Sequence, residues 1–186
     1  LTAYQELMSK YPDSELSHKA KVRFEILKYQ AEIQICRSVI RKNGISSPAA
    51  QYRIAEIYEV EMQNYPAAIT EYEKVAENYP GTYWAADALY EMGLIYSGSN
   101  SSDPHSARED RRTRLYIKPD YRKAMEKYRQ LIREYPNTYT AAKAYHKMGE
   151  IYSACMNDYK QALQAYEKVV HDYPRRDLYM GEGYKD

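Results

Sequence analysis

The chain of 186 residues has one phenylalanine, one tryptophan and two cysteines. Cys36 and Cys155 lie far apart and form no CxxC pair, which argues against a disulfide framework or a cysteine-built metal site. No apolar run approaches the roughly 20 residues that a membrane helix needs, and the mean hydropathy is -0.82. An excess of one charge is missing as well. Lys and Arg number 27 and Asp and Glu 26, so the net charge of +1 supplies no global field to gather nucleic acid or an anionic membrane. The four histidines, His18, His105, His146 and His171, show no HExxH spacing and have no cysteine nearby in sequence. There is no glycine-rich phosphate loop and no nucleophile elbow. The expectation is a protein without catalytic residues, cofactor or metal. What the chain has in quantity is tyrosine, 23 residues of it.

Those tyrosines recur in a pattern. "YPAAITEYEKVAENYP" at 65–80, "YRKAMEKYRQLIREYP" at 121–136 and "YKQALQAYEKVVHDYP" at 159–174 place apolar side chains at the i, i+3, i+4, i+7 spacing of one helical face. Each copy sets an alanine (Ala68, Ala124, Ala162) four residues before a tyrosine (Tyr72, Tyr128, Tyr166), a small residue stacked beside a large one. Each ends in Tyr-Pro, which disfavours helix at the tyrosine and removes a donor at the proline. Thr82 and Thr138 follow two of these pairs and are placed to cap a second helix. The second helices also match: they share Ala50, Ala88 and Ala144, then Ile54, Met92 and Met148, then Ile-Tyr at 57–58, 95–96 and 151–152. Between them sits Ala55, Gly93 or Gly149. A glycine inside a helix costs about 1 kcal/mol relative to alanine, so its use predicts close helix-helix approach. The unit is a tight helical hairpin.

Tyr58 to Tyr96 and Tyr135 to Tyr173 are each 38 residues, whereas Tyr79 to Tyr135 is 56, an excess of 18. The excess falls in a Ser, Asn, Gly and Pro-rich insertion at 97–119. The spacing predicts one array over 1–186. It comprises a partial unit at 1–12, a degenerate hairpin at 14–43, repeats at about 47–80, 82–136 and 138–174, and a tail at 175–186. The 14–43 stripe of Leu16, Ala20, Phe24, Leu27, Ala31 and Ile35 contains no turn signal, so one long helix is the alternative there. The insertion holds Arg111, Arg112 and Arg114 behind Glu109 and Asp110, a solvated loop or a contact for an acidic partner or phosphate. No basic stripe extends beyond it, which argues against nucleic acid.

Gly149, Tyr152, Ala162, Tyr166 and Pro174 resemble the small residue, tyrosine, alanine, aromatic and closing proline of the tetratricopeptide repeat. The units depart from it in reaching the alanine one residue late and in a period of 38 against about 34. Long units ending in Tyr-Pro before Ser or Thr resemble the variant in bacterial envelope proteins, such as the Tol-Pal coordinator and the outer-membrane assembly lipoproteins. The resemblance implies an all-α solenoid of stacked antiparallel hairpins that binds a peptide or partner protein in a concave groove. It implies a place in the bacterial periplasm or at the inner face of the outer membrane, with the cytoplasm as alternative and any lipid anchor outside this sequence. The alternative function is a regulatory or assembly module of a larger enzyme or secretion complex. The family's groove positions correspond to Tyr52, Glu56 and Glu59, to Asp87, Tyr90, Leu94 and Ser97, and to Lys143, His146, Glu150 and Ser153.

Overall fold

A computed structural model describes residues 2–12, 14–42, 44–99 and 118–173. Among them the chain forms α1 (Thr2–Lys10), α2 (Glu15–Arg41), α3 (Ser47–Glu56), α4 (Tyr65–Asn78), α5 (Tyr83–Ser97), α6 (Tyr121–Glu134), α7 (Tyr139–Glu150) and α8 (Tyr159–Asp172), with no strand among the described residues. Neighbours in sequence pack against each other as antiparallel pairs, and α5 also touches both α3 and α7. α3, α5 and α7, which open the repeats at about 47–80, 82–136 and 138–174 and so are their first helices, therefore share one face. This is the all-α helical-repeat architecture that the spacing predicts.

Capping explains where the helices start. The turns "YPDS", "YPGT" and "YPNT" use one device: the hydroxyl of Ser14, Thr82 or Thr138 donates to the carbonyl oxygen of Tyr11, Tyr79 or Tyr135. The same oxygen accepts the amide of Ser17, Ala85 or Ala141, one of the orphan donors of the next helix. The side-chain oxygens of Asn64, Asp120 and Asp158 accept the amides of Ala67, Lys123 and Gln161 and so cap α4, α6 and α8.

The one extra residue before the alanine is absorbed by a wider turn. After α3 and α7 the backbone runs through π-helical turns at Ile57–Glu61 and Ile151–Cys155, closed by Met62 N–H to Ile57 O and Met156 N–H to Ile151 O. The amide of each following cap residue then donates to a tyrosine carbonyl: Asn64 to Tyr58 at 2.7 Å, Asp158 to Tyr152 at 2.8 Å and Asp120 to Tyr96 at 2.8 Å. The last bond spans the insertion and restores the geometry of the other repeats. The insertion itself, beyond its two ends, and the 175–186 tail lie outside the described residues.

Residues 14–43 do not form a hairpin; α2 is a single 27-residue helix. The stripe read from its sequence is corrected too. Ser17, Ala20, Ile33 and Cys36 are buried, whereas Leu16 and Ile35 are largely exposed. The first half of α2 faces α1, while Ile33 and Cys36 pack with Ile54 and Ile57 against α3, so the buried face changes partner along its length.

The larger core runs from Tyr52 to Ala165. Tyr72 and Tyr128 are fully buried at its centre. A Cβ on Gly93 would overlap the Tyr128 ring, and one on Gly149 would stand 2.6 Å from Tyr166 Cε1, which is why glycine occupies both positions.

Candidate functional site

The face shared by α3, α5 and α7 collects most of the residues that the resemblance implies. Tyr52 on α3 and Tyr90 on α5 occupy equivalent positions but are seated more deeply than groove-lining side chains, each 7% exposed. The Tyr52 ring lies 5.2 Å from Tyr72 and 5.1 Å from Trp84. Tyr90 lies 6.0 Å from Tyr128. His146, the third rung on α7, is exposed and meets the Tyr166 ring edge-on at 5.6 Å.

Carboxylates rim these rings. Glu59 falls in the π-helical turn and is buried, accepting the phenol of Tyr72 at 2.7 Å. Glu56 pairs with Arg53 at 3.5 Å, and Arg53 in turn pairs with Glu32 of α2 at 2.8 Å. Asp87 is buried and accepts the hydroxyl of Thr140 on α7 at 2.9 Å, tying two repeats together. Glu150 pairs with Lys147 and His146, at 2.8 and 3.4 Å. Leu94 packs on the core, and Ser97 and Ser153 donate to carbonyls of their own helices. The Lys143 ammonium stands 4.3 Å above the Tyr90 ring, within cation-π range. Arg111, Arg112 and Arg114 lie outside the described residues.

The residue that the repeat positions do not include is Glu91. Burial, reinforced by Glu59, Asp87 and Glu56 and opposed by Lys143, pushes its carboxyl up to about 7. Its signal in the sequence is the Asp87/Glu91 pair, two acids one helical turn apart on the central α5. Burial, with Glu91, Asp87, Glu56 and Glu59 nearby, pushes the Tyr52 phenol far above its ordinary value, and burial with Glu91, Glu150 and Asp87 pushes Tyr90 up to about 12.

Among the described residues no group of three or more His, Cys, Asp or Glu side chains is arranged to hold a metal ion. No described helix is long and apolar enough to cross a membrane. A cleft of about 520 Å³ lies apart from this face, between α6, α7 and α8, lined by Arg129, Tyr145, Tyr152 and His171 among others.

No curated protein and no solved structure matches the chain. The tetratricopeptide-repeat family model matches residues 49–82, 83–138 and 143–175, each match spanning one pair of described helices from α3 to α8. The chain belongs to the tetratricopeptide-repeat family.

Proposed function

We propose that this chain is a non-catalytic scaffold that holds a segment of a partner protein along the face formed by α3, α5 and α7. Tetratricopeptide repeats generally mediate contacts between proteins. The observation that carries the reading is the pair Tyr52 and Tyr90, equivalent residues of successive repeats whose seated rings are rimmed by Glu56, Asp87, Glu91 and Lys143. An apolar floor with a charged rim suits a polypeptide better than a small cofactor. The 38-residue units ending in Tyr-Pro support a setting in the bacterial periplasm or at the inner face of the outer membrane, in an envelope complex.

Photo-crosslinking tests the face. A photoreactive residue replacing Glu56 or His146 should give one discrete adduct in extracts of the native cell, and the same residue replacing Glu77 on α4 or Glu134 on α6 should not. Adducts from α4 and α6 alone would move the docking surface to the other side of the array.

A further inference from the structure

Charge is matched differently on the two sides of α4. Toward α6 an ion pair joins the helices: the mostly covered Lys127 of α6 meets Glu73 of α4 at 3.4 Å. Toward α2 no such pair forms. The α4 position equivalent to Lys127 holds Glu71, the same 56 residues earlier that separate Tyr72 from Tyr128. A cleft of about 280 Å³ opens there between α2, α3 and α4, with Arg37 and Arg41 on the α2 side and Gln51, Glu71 and Lys74 on the other. Gln51 and Glu71 are buried. Glu71 is the one acid in the lining, and both its oxygens are already engaged: Oε2 accepts the side-chain amide of Gln51, and Oε1 accepts the Lys74 ammonium at 2.8 Å. Arg37 and Arg41 stand one helical turn apart on α2, and neither guanidinium makes an ion pair or hydrogen bond among the described residues. Three cations therefore line the cleft against one acid, and the surplus belongs to the arginine pair. Both arginines are exposed, so the surplus costs little in the free chain and is open to a ligand from outside.

We infer that the cleft between α2 and α4 binds a phosphate-monoester group, gripped by the guanidiniums of Arg37 and Arg41. The planar fork of donors on each arginine matches phosphate oxygens two at a time. A phosphate ester carries a charge of about −1.5 to −2 near pH 7, which balances the arginine pair, whereas one carboxylate balances half of it. The volume of about 280 Å³ admits a small ester. The buried Gln51 and Glu71, bonded to each other, hold the wall opposite the arginines in place. The site shares no residue with the docking face proposed above and does not rest on it.

The test is NMR titration of the full chain with glycerol 1-phosphate, reading the side-chain Nε–Hε signals of the arginines, with acetate as the singly charged comparison. Glycerol 1-phosphate should saturate at millimolar concentration, shift Arg37 and Arg41 above all, and bind several-fold more tightly than acetate. Arg37→Gln and Arg41→Gln should each weaken it about ten-fold, the loss expected of one charge-assisted contact. Arg133→Gln, which removes an exposed α6 cation paired with Glu134, should change nothing. Glu71→Gln, which removes the opposing charge, should tighten binding several-fold. Circular dichroism checks that each variant folds. Vesicles of phosphatidylcholine with and without phosphatidic acid separate the sources of the group: sedimentation with the acidic vesicles alone, lost in the Arg37→Gln, Arg41→Gln double variant, keeps the site and places the phosphate on a lipid headgroup. Acetate binding as tightly as glycerol 1-phosphate overturns the phosphate assignment. Shifts at Arg133 as large as those at Arg37 and Arg41, unchanged affinity in the double variant, or no binding to either glycerol 1-phosphate or the acidic vesicles overturns the site.

Discussion

Individual tyrosines show why the chain uses that residue where phenylalanine would bury the same ring. Tyr72 donates to Glu59, Tyr135 accepts the amide of Gly81 in the preceding turn at 3.0 Å, and Tyr173 donates to the carbonyl of Pro136 one turn later in the array. The last two stitch neighbouring repeats through the tyrosine hydroxyl of the same repeat position, which accepts an amide in one turn and donates to a carbonyl in the other. Tyr135→Phe should therefore cost about 1 kcal/mol in urea unfolding by leaving the Gly81 amide without its acceptor. Tyr128 is the contrast: its hydroxyl is buried without a partner, and Ser97, which stands where Glu59 serves Tyr72, donates instead to Leu94. Tyr128→Phe should leave stability unchanged or raise it, whereas Tyr72→Phe should lower it by about 1–2 kcal/mol. Glu91 gives a pH signature. Its folded carboxyl is raised above an ordinary glutamate, so its contribution is fully present below about pH 4.3 and is lost as pH rises toward about 7. Glu91→Gln should melt above wild type at pH 8, the difference shrinking as pH falls through that window. A constant difference at every pH would mean that Glu91 titrates normally.

At the scale of elements, the hairpins were legible because each level of the sequence agrees: the Tyr-Pro stop, the Thr cap and the apolar stripe all mark the same boundaries. Thr138→Ala should cost about 1 kcal/mol, the usual value of an N-cap, measured by thermal unfolding. Gly93→Ala should cost about 1–3 kcal/mol by forcing the Tyr128 ring aside. Gly149→Ala should cost less, since Tyr166 is only half-buried on the last described helix and can shift. What the residues did not disclose is long-range. The stripe of α2 reads as one face, but its buried side follows two partners, α1 and then α3, which no local spacing records. Likewise the π-helical turns are backbone answers to one surplus residue, and Glu91 acquires its character from burial and from acids largely brought in by another repeat. The repeat positions led to Tyr52, Tyr90 and Asp87; their depth and their charge came from packing.

For the molecule as a whole, the array is a sum of hairpins held by equivalent contacts, and the long connection is tolerated because both its ends are fixed as in the other repeats. Joining Ser99 directly to Lys118 would leave Tyr96 and Asp120 six residues apart, the spacing of Tyr58 to Asn64 and of Tyr152 to Asp158, whose ladder bonds match. That 18-residue deletion should keep helicity and shift Tm by no more than a few degrees, because loop closure depends only weakly on length. Loss of cooperative unfolding would show that the connection is part of the core. The central claim, that the array works by docking a protein on its first helices, is tested most directly by NMR titration with the partner segment captured by crosslinking. Amide shifts confined to α3, α5 and α7, strongest around Tyr52, Tyr90 and Glu91, are the expected result; shifts confined to α4, α6 and α8 would contradict it.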